Sequence, residues 1–299
     1  MRVLVTGSSG FVGTHLLGHL AAEGDEVIEL AAGIDIVDAA AVRSAVIEAA
    51  PEVIYHLAGW AHVGTSWDDP SRVYAVNALG TANVCEAAVA LGRGSVGPRV
   101  LVVGSADAYG AFDADELPLH ESTPLRPLSP YGASKAAAEV FALRAHRASG
   151  LPVVLTRSFN HTGPGQDPSF VVPALATRLV AARAAGTTRV AVGNLDARRD
   201  VLDVADVVTA YRLLALAGQP GRAYNVCSGE APSIAELAEA LRTLAGGDIE
   251  LFVDPDLVRA IDVPIIIGDN AALTSDTGWR RSIPLSDTLR RVLDSAAAA

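Results

Sequence analysis

Lysine is almost missing from this chain: of 23 basic residues, 22 are arginines and one is a lysine, Lys135. A bias toward arginine and alanine is a trait of composition and by itself says nothing about function. Positive charge is scarce overall, and the net charge of -11 excludes a nucleic-acid backbone or an anionic membrane as the main partner. No apolar run approaches the ~18 residues of a membrane span. The chain opens Met1-Arg2 and enters an apolar strand-like run with no signal-peptide layout, so a cytoplasmic protein is expected. Cysteine is limited to Cys85 and Cys227, far apart in apolar stretches, which reads as two buried free thiols in a reducing compartment. Cysteines and histidines at ligand spacing are too few to suggest a metal site.

What is present is a chain of 299 residues, half of them apolar, long enough for one large or two intimately packed domains. Short β-branched runs at Arg2–Thr6, Glu26–Leu30, Val53–Leu57, Val100–Gly104 and Val153–Arg157 alternate with helix-length stretches near 11–23, 38–49, 70–91 and 130–149. Continuous apolar strands separated by helices predict an α/β fold with a doubly wound parallel sheet, covered on both faces. After about residue 160 the rhythm breaks at Gly163-Pro164-Gly165. Beyond it, Val201–Leu216 reads as helical in its second half and Ala223–Val226 as a candidate returning strand. Helices are expected near 233–245 and 285–294, with a loop-rich stretch from Asp254 to Asp269 and a frayed tail at Ala296–Ala299. This predicts a smaller α/β substrate domain inserted between late elements of the sheet. Residues 1–163 plus 200–228 are assigned to the sheet domain, and 164–199 plus 229–299 to the smaller one.

The first strand runs through Thr6 into Gly7-Ser8-Ser9-Gly10-Phe11-Val12-Gly13 and then into a helix. Glycines there let the backbone approach a diphosphate, whose charge rests on the unpaired amides of the helix N-terminus. The strand–turn–helix setting makes this a dinucleotide site, with Gly7, Ser9, Gly10, Phe11, Val12 and Gly13 as its contacts. The second strand ends Glu29-Leu30-Ala31-Ala32-Gly33, with alanine where a ribose-binding carboxylate is usual. Nothing repels a 2′-phosphate, yet no arginine lies between Arg2 and Arg43 to grip one. NAD(P)(H) is therefore expected, with a slight lean to NADP(H). Asp35-Ile36 can meet the adenine or begin the next helix.

Tyr131-Gly132-Ala133-Ser134-Lys135 sets a phenol and an ammonium one helical turn apart. The cation is expected to lower the phenol pKa, so that tyrosine exchanges a proton with a substrate oxygen near neutral pH, and to bond the nicotinamide ribose. With six tyrosines and a single lysine, this spacing is poorly explained by chance. Ser105 ends the fourth strand, where ligands of open α/β sheets sit, and can bond the reacting oxygen. Asp107 is either a second acid or base or the cap of a turn.

Together Gly7-x-x-Gly10-x-x-Gly13, His56-Leu57-Ala58-Gly59, Asn77-x-x-Gly80-Thr81, Ser105 and Tyr131-x-x-x-Lys135 resemble the extended short-chain dehydrogenases/reductases, within them the nucleotide-sugar epimerase/dehydratase/reductase family. The likeness covers essentially the whole chain and implies a Rossmann fold. The segments 157–166, 193–200, 224–229 and 277–279 are most similar to GDP-mannose dehydratases and GDP-4-keto-6-deoxymannose reductases. The resemblance implies Leu57, Ala58, Gly59 and Asn77 as further cofactor contacts, alongside Tyr131 and Lys135. It places Asn160 by the substrate diphosphate with Arg199 and Arg259 as counter-ions, and Phe170, Val171 and Asn194 about the nucleobase. It also implies a homodimer paired through helices 70–91 and 130–149, whose alanine-rich faces include Ala82, Cys85, Ala136, Ala137 and Val140.

In dehydratases of the family a glutamate stands two before the tyrosine of the Tyr-Gly pair. Here that position holds the shorter Asp107, which weakens a dehydratase reading, because proton transfer is sensitive to reach. A reductase needs only hydride delivery to sugar C4 and a proton from Tyr131. The expectation is reduction of an NDP-4-keto-6-deoxyhexose, GDP-linked, giving a 6-deoxyhexose such as GDP-rhamnose. A 4,6-dehydratase, a 4-epimerase and a non-catalytic NAD(P)-binding sensor are the alternatives.

Overall fold

The computed structural model describes residues 1–92, 97–110, 112–257 and 263–299. Its first part runs β1 (Arg2–Thr6), α1 (Phe11–Ala22), β2 (Glu26–Glu29), α2 (Ala39–Ala49), β3 (Val53–His56), α3 (Pro70–Tyr74), a π turn (Ala75–Leu79), α4 (Gly80–Leu91), β4 (Arg99–Ser105), α5 (Pro130–Ser149) and β5 (Val153–Ser158). The remainder is β6 (Asn160–Thr162), α6 (Val171–Ala185), β7 (Arg189–Val192), β8 (Arg198–Arg199), β9 (Val201–Asp203), α7 (Val204–Ala217), β10 (Ala223–Val226), α8 (Ile234–Leu244), β11 (Glu250–Val253), β12 (Ile265–Ile266), α9 (Ala271–Thr277) and α10 (Leu285–Ala298).

Six parallel strands form the central sheet in the order β10-β5-β4-β3-β1-β2. Alternate residues of each strand face opposite sides. On one side Val3, Val5, Tyr55 and Leu101 pack with Leu16 and Leu20 of α1 and Tyr211 and Leu214 of α7. On the other, Leu4, Ile54, Val100 and Val102 pack with Val42 and Val46 of α2, Val84 and Ala88 of α4, and Ala142 of α5. The doubly wound expectation is met, and Ala223–Val226 returns as the edge strand beside β5. A separate apolar core joins α6, α8 and α10 to Val190 and Val192 of β7. Cys85 and Cys227 are buried free thiols.

Two local expectations need correction. The stretch 70–91 is not one α-helix: Ala75–Leu79 makes a π turn between α3 and α4, an extra residue per turn of the kind found at functional sites. The tail does not fray at Ala296; α10 continues to Ala298, and Ala296 packs against the third core, as suits the residue with the highest helix propensity. Arg259 lies outside the described residues.

Candidate active site

Ser105 is the last residue of β4 and caps the short turn Ala106–Ala108 by accepting from the Asp107 amide at 3.1 Å. Its hydroxyl donates back to Asp107 Oδ2 at 3.0 Å. The two alternatives for Asp107 resolve in part, since Ser105 is the cap and Asp107 the residue it holds. α5 begins beside this turn. Ser129 accepts from the Gly132 amide at 3.0 Å, and Pro130 occupies the first turn, where no amide is needed. Gly132 is required by contact: a Cβ there would come within 2.5 Å of the Asp107 carbonyl. That close approach holds the start of α5 against the turn after β4, with the Tyr131 phenol near Ser105.

Tyr131 and Lys135 are both buried, on one face of α5. Lys135 Nζ lies 5.9 Å from the Tyr131 ring centroid and donates to the Val103 carbonyl at 2.9 Å. Burial lowers the ammonium to about 8. The phenol goes the other way: burial, then the nearby Asp107 carboxylate, push it above its ordinary value, and the Ser105 hydrogen bond offsets only part of this. The expected lowering by Lys135 is therefore corrected, because desolvation of a buried phenol is the larger effect. Tyr131 holds its proton at neutral pH.

The glycine turn has the shape a diphosphate needs. Gly7 adopts φ +71°, and a Cβ there would sit 2.6 Å from the Ala58 amide. At Gly13 a Cβ would sit 2.3 Å from the Gly7 carbonyl, so α1 starts hard against the turn. Gly10 caps α1 without a side-chain bond, and the first intrahelical donor is Thr14, to the Gly10 carbonyl at 2.9 Å. The amides of Phe11, Val12 and Gly13 precede it and carry the positive end of the helix.

Behind the turn runs a buried chain of hydrogen bonds that sequence reasoning did not find. The Ala58 amide donates to Thr6 Oγ1 at 3.1 Å, Thr6 Oγ1 meets His56 Nδ1 at 2.8 Å, and His56 Nε2 meets Thr81 Oγ1 at 3.0 Å. Thr81 Oγ1 donates to the Asn77 carbonyl at 2.6 Å. One polarity satisfies every member: Thr81 has spent its proton, so His56 Nε2 donates and Nδ1 accepts from Thr6. The imidazole is thus a neutral Nε2–H tautomer, and burial, with Lys135 nearby, lowers its pKa to about 3.

Asn77 extends this chain to the tyrosine. Its Oδ1 accepts from the Trp60 amide at 2.7 Å, and its Nδ2 donates to Ser134 Oγ at 2.7 Å, which donates to the Tyr131 carbonyl at 2.6 Å. Gly59 lies against the same group; a Cβ there would come within 2.8 Å of Asn77 Oδ1 and 3.4 Å of Lys135 Nζ. At the far end, Ile36 is buried and abuts Gly80, where a Cβ would meet it at 2.7 Å. Asp35 does not cap α2, which Asp38 does; its carboxylate accepts from the Val37 amide at 3.0 Å and pairs with Arg72 at 2.9 Å. Arg72, well beyond Arg43 in the chain, brings a cation to this end.

The other expected contacts are more widely spread. Ser158 is the register partner of Ser105, which puts Asn160, exposed on β6, just beyond the end of the sheet. Phe170 caps α6 and packs at a tilt against His62 of the loop after β3, with centroids 4.8 Å apart. Val171 begins α6 and packs toward the third core. Asn194 accepts from the Asp196 amide at 3.0 Å. Arg199 donates to the Val263 carbonyl at 2.7 Å, four residues from Arg259 in the chain. The structure does not bring Asn194 and Arg199 into contact with Tyr131. Among the described residues, no group of three or more His, Cys, Asp or Glu is placed to hold a metal ion, and no helix is long and apolar enough to cross a membrane.

The model of the GDP-mannose 4,6-dehydratase family matches residues 31–292. The chain belongs to that family. As a member it is 38% identical over 296 residues to the GDP-6-deoxy-D-mannose reductase of Pseudomonas aeruginosa, covering 98% of this chain and 96% of the relative. Among solved structures, that of RMD from Pseudomonas aeruginosa complexed with NADPH superposes with a TM-score of 0.90 at 36% identity, over 100% of this chain and 99% of that one. The Thermus thermophilus UDP-glucose 4-epimerase in complex with NAD gives a TM-score of 0.87 at 29% identity, over 100% of both chains. Dehydratase family members therefore share this architecture with reductases and epimerases.

Proposed function

We propose that the protein reduces a GDP-4-keto-6-deoxyhexose at C4 with NAD(P)H, leaning to NADPH, to a 6-deoxyhexose of the GDP-rhamnose type. The observation that carries this is the placement of Tyr131: a buried phenol one helical turn from Lys135 and near Ser105, which burial keeps protonated, is set to give that proton to O4. A bound nicotinamide supplies the hydride. Tyr131 donates the proton, Ser105 orients the oxygen, and Lys135 holds the ribose side of the cofactor and resupplies charge to the phenol as the proton leaves. The uncapped amides of Phe11, Val12 and Gly13 take the diphosphate, with Ser9 on the same turn and Leu57 and Ala58 flanking it. Asn160, Arg199 and Arg259 serve the substrate diphosphate, where paired guanidinium donors suit phosphate oxygens. Phe170, Val171 and Asn194 serve the base.

Asp107 favours reduction over dehydration. Its carboxylate accepts from the Ser105 hydroxyl and its amide donates back to the same oxygen, and the side chain is one methylene short of the family's glutamate. We also assign the sheet domain to 1–163 plus 200–228 and the substrate domain to the rest. A homodimer through the segments 70–91 and 130–149 is supported by the exposed Leu79, Val140 and Phe141, whereas Cys85 is packed in the core.

The test is to mix purified protein with the GDP-4-ketosugar and NADPH and follow nicotinamide absorbance. Loss of absorbance with formation of a GDP-6-deoxyhexose supports the reading. Conversion of GDP-mannose to a 4-keto product without net cofactor use replaces it with dehydration.

A further inference from the structure

Glu139 stands one helical turn beyond Lys135 and two beyond Tyr131, on the same face of α5. Its carboxylate is gripped side-on by one edge of the Arg157 guanidinium, Nε to Oε1 and Nη2 to Oε2, each at 2.9 Å. Both side chains are buried, at 8% and 4% exposure. Arg157 belongs to β5, where its register partner is Gly104, the residue before Ser105. Gly104 is required by the strand beside it, since a Cβ there would lie 2.3 Å from the Thr156 carbonyl, while Glu139 Oε1 would be in ordinary contact at 3.5 Å. Arg157 Nη1 is held from the other side, donating to Tyr109 Oη at 3.1 Å and to the Glu121 carbonyl at 2.9 Å. Tyr109 in turn donates to Asn225 Oδ1 at 2.7 Å, reaching β10.

A buried ion pair is a weak source of stability, because desolvation cancels most of its attraction, yet a two-pronged fork fixes position and orientation. The fork joins the helix that carries Tyr131 and Lys135 to the strands beside Ser105. We propose that Glu139 and Arg157 are positioning residues for the C4 reduction: their bidentate pair sets the register of α5 along β4, and with it the spacing of Tyr131 and Lys135 from Ser105 and Val103. This rests on the function proposed above. The distance between proton donor and substrate oxygen is then set by a contact two helical turns from the chemistry.

The test replaces the pair by apolar residues of similar size, Glu139→Leu with Arg157→Met, an exchange that typically leaves stability level or higher. Thermal melting is expected to stay within a few degrees, KM for NADPH within about twofold, and kcat to fall about tenfold or more, as misplacement on the ångström scale does. A crystal structure of the variant is expected to show the Lys135–Val103 or Tyr131–Ser105 contact lengthened. Unchanged kcat per folded molecule, or an unmoved α5, overturns the proposal. If the double variant does not fold, Arg157→Lys, which keeps the charge and loses the fork, is read by the same criteria. Wild-type protein inert toward the ketosugar sinks the functional reading, and the crystal geometry still decides whether the pair sets the helix.

Discussion

Lys135 Nζ donates to the Val103 carbonyl at 2.9 Å, two residues before Ser105 on the same strand. The bond uses one of the three ammonium donors and fixes the group against β4, with the Gly59 backbone close on its other side. A guanidinium is planar and wider, and cannot repeat this geometry. Lys135→Arg is expected to keep the fold and lower kcat about 100-fold or more, within the range removed with a general acid's partner. Nicotinamide absorbance and a thermal melt check the two halves; near-normal turnover would refute the role.

Burial lowers Lys135 from 10.5 to about 8. An ammonium loses its charge as pH rises through its pKa, so kcat/KM for reduction is expected to decline above about pH 8, well before a solvent-exposed lysine would titrate. A profile flat to about pH 10 would contradict it.

The turn before α1 tolerates no side chain at its third glycine. In Gly13→Ala the new carbon would lie 2.3 Å from the Gly7 carbonyl, forcing helix and turn apart at a cost of about 1–3 kcal/mol. NADPH titration is expected to show at least a tenfold weaker complex, equivalent to about 1.4 kcal/mol. Unchanged affinity would mean the cofactor does not use this turn.

His56 makes the fold sensitive to acid. The folded imidazole titrates at about 3 and the free one at 6.5. Acidification between these values protonates the unfolded chain first. The stability due to the neutral ring is complete above pH 6.5 and is lost as pH falls, by about 1.4 kcal/mol per pH unit. In His56→Gln this slope is absent, so the gap between wild-type and variant urea midpoints is expected to narrow on going from about pH 7 to about pH 4. Parallel curves would show that the ring is not buried and neutral.

The sheet was legible because its strands are continuous apolar runs between alanine-rich helices, and alternation such as Val3, Leu4, Val5 serves both faces. The catalytic pair was legible because four residues are one turn. Contacts between distant segments leave no such trace: Thr6 against His56, Arg72 against Asp35 and Glu139 against Arg157 join residues 18 to 50 apart. Nor does periodicity reveal the π turn, since the alanine-rich stretch 70–91 reads as helix whichever residues carry the extra one. The direction of the Tyr131 shift depended on burial, which spacing does not report.

The π turn also carries a liability for anyone seeking a hardier protein. Deleting one residue from Ala75–Leu79 would restore regular winding. The same deletion would rotate everything on one side of it by about 100°, swinging Asn77 off Ser134 and Trp60 together. It would also turn Val84 and Ala88 of α4 away from the sheet or Val73 of α3 out of its buried place, so a one-residue change of length here costs packing and alignment at once, and an engineer shortening or lengthening this chain has to leave the segment its full count.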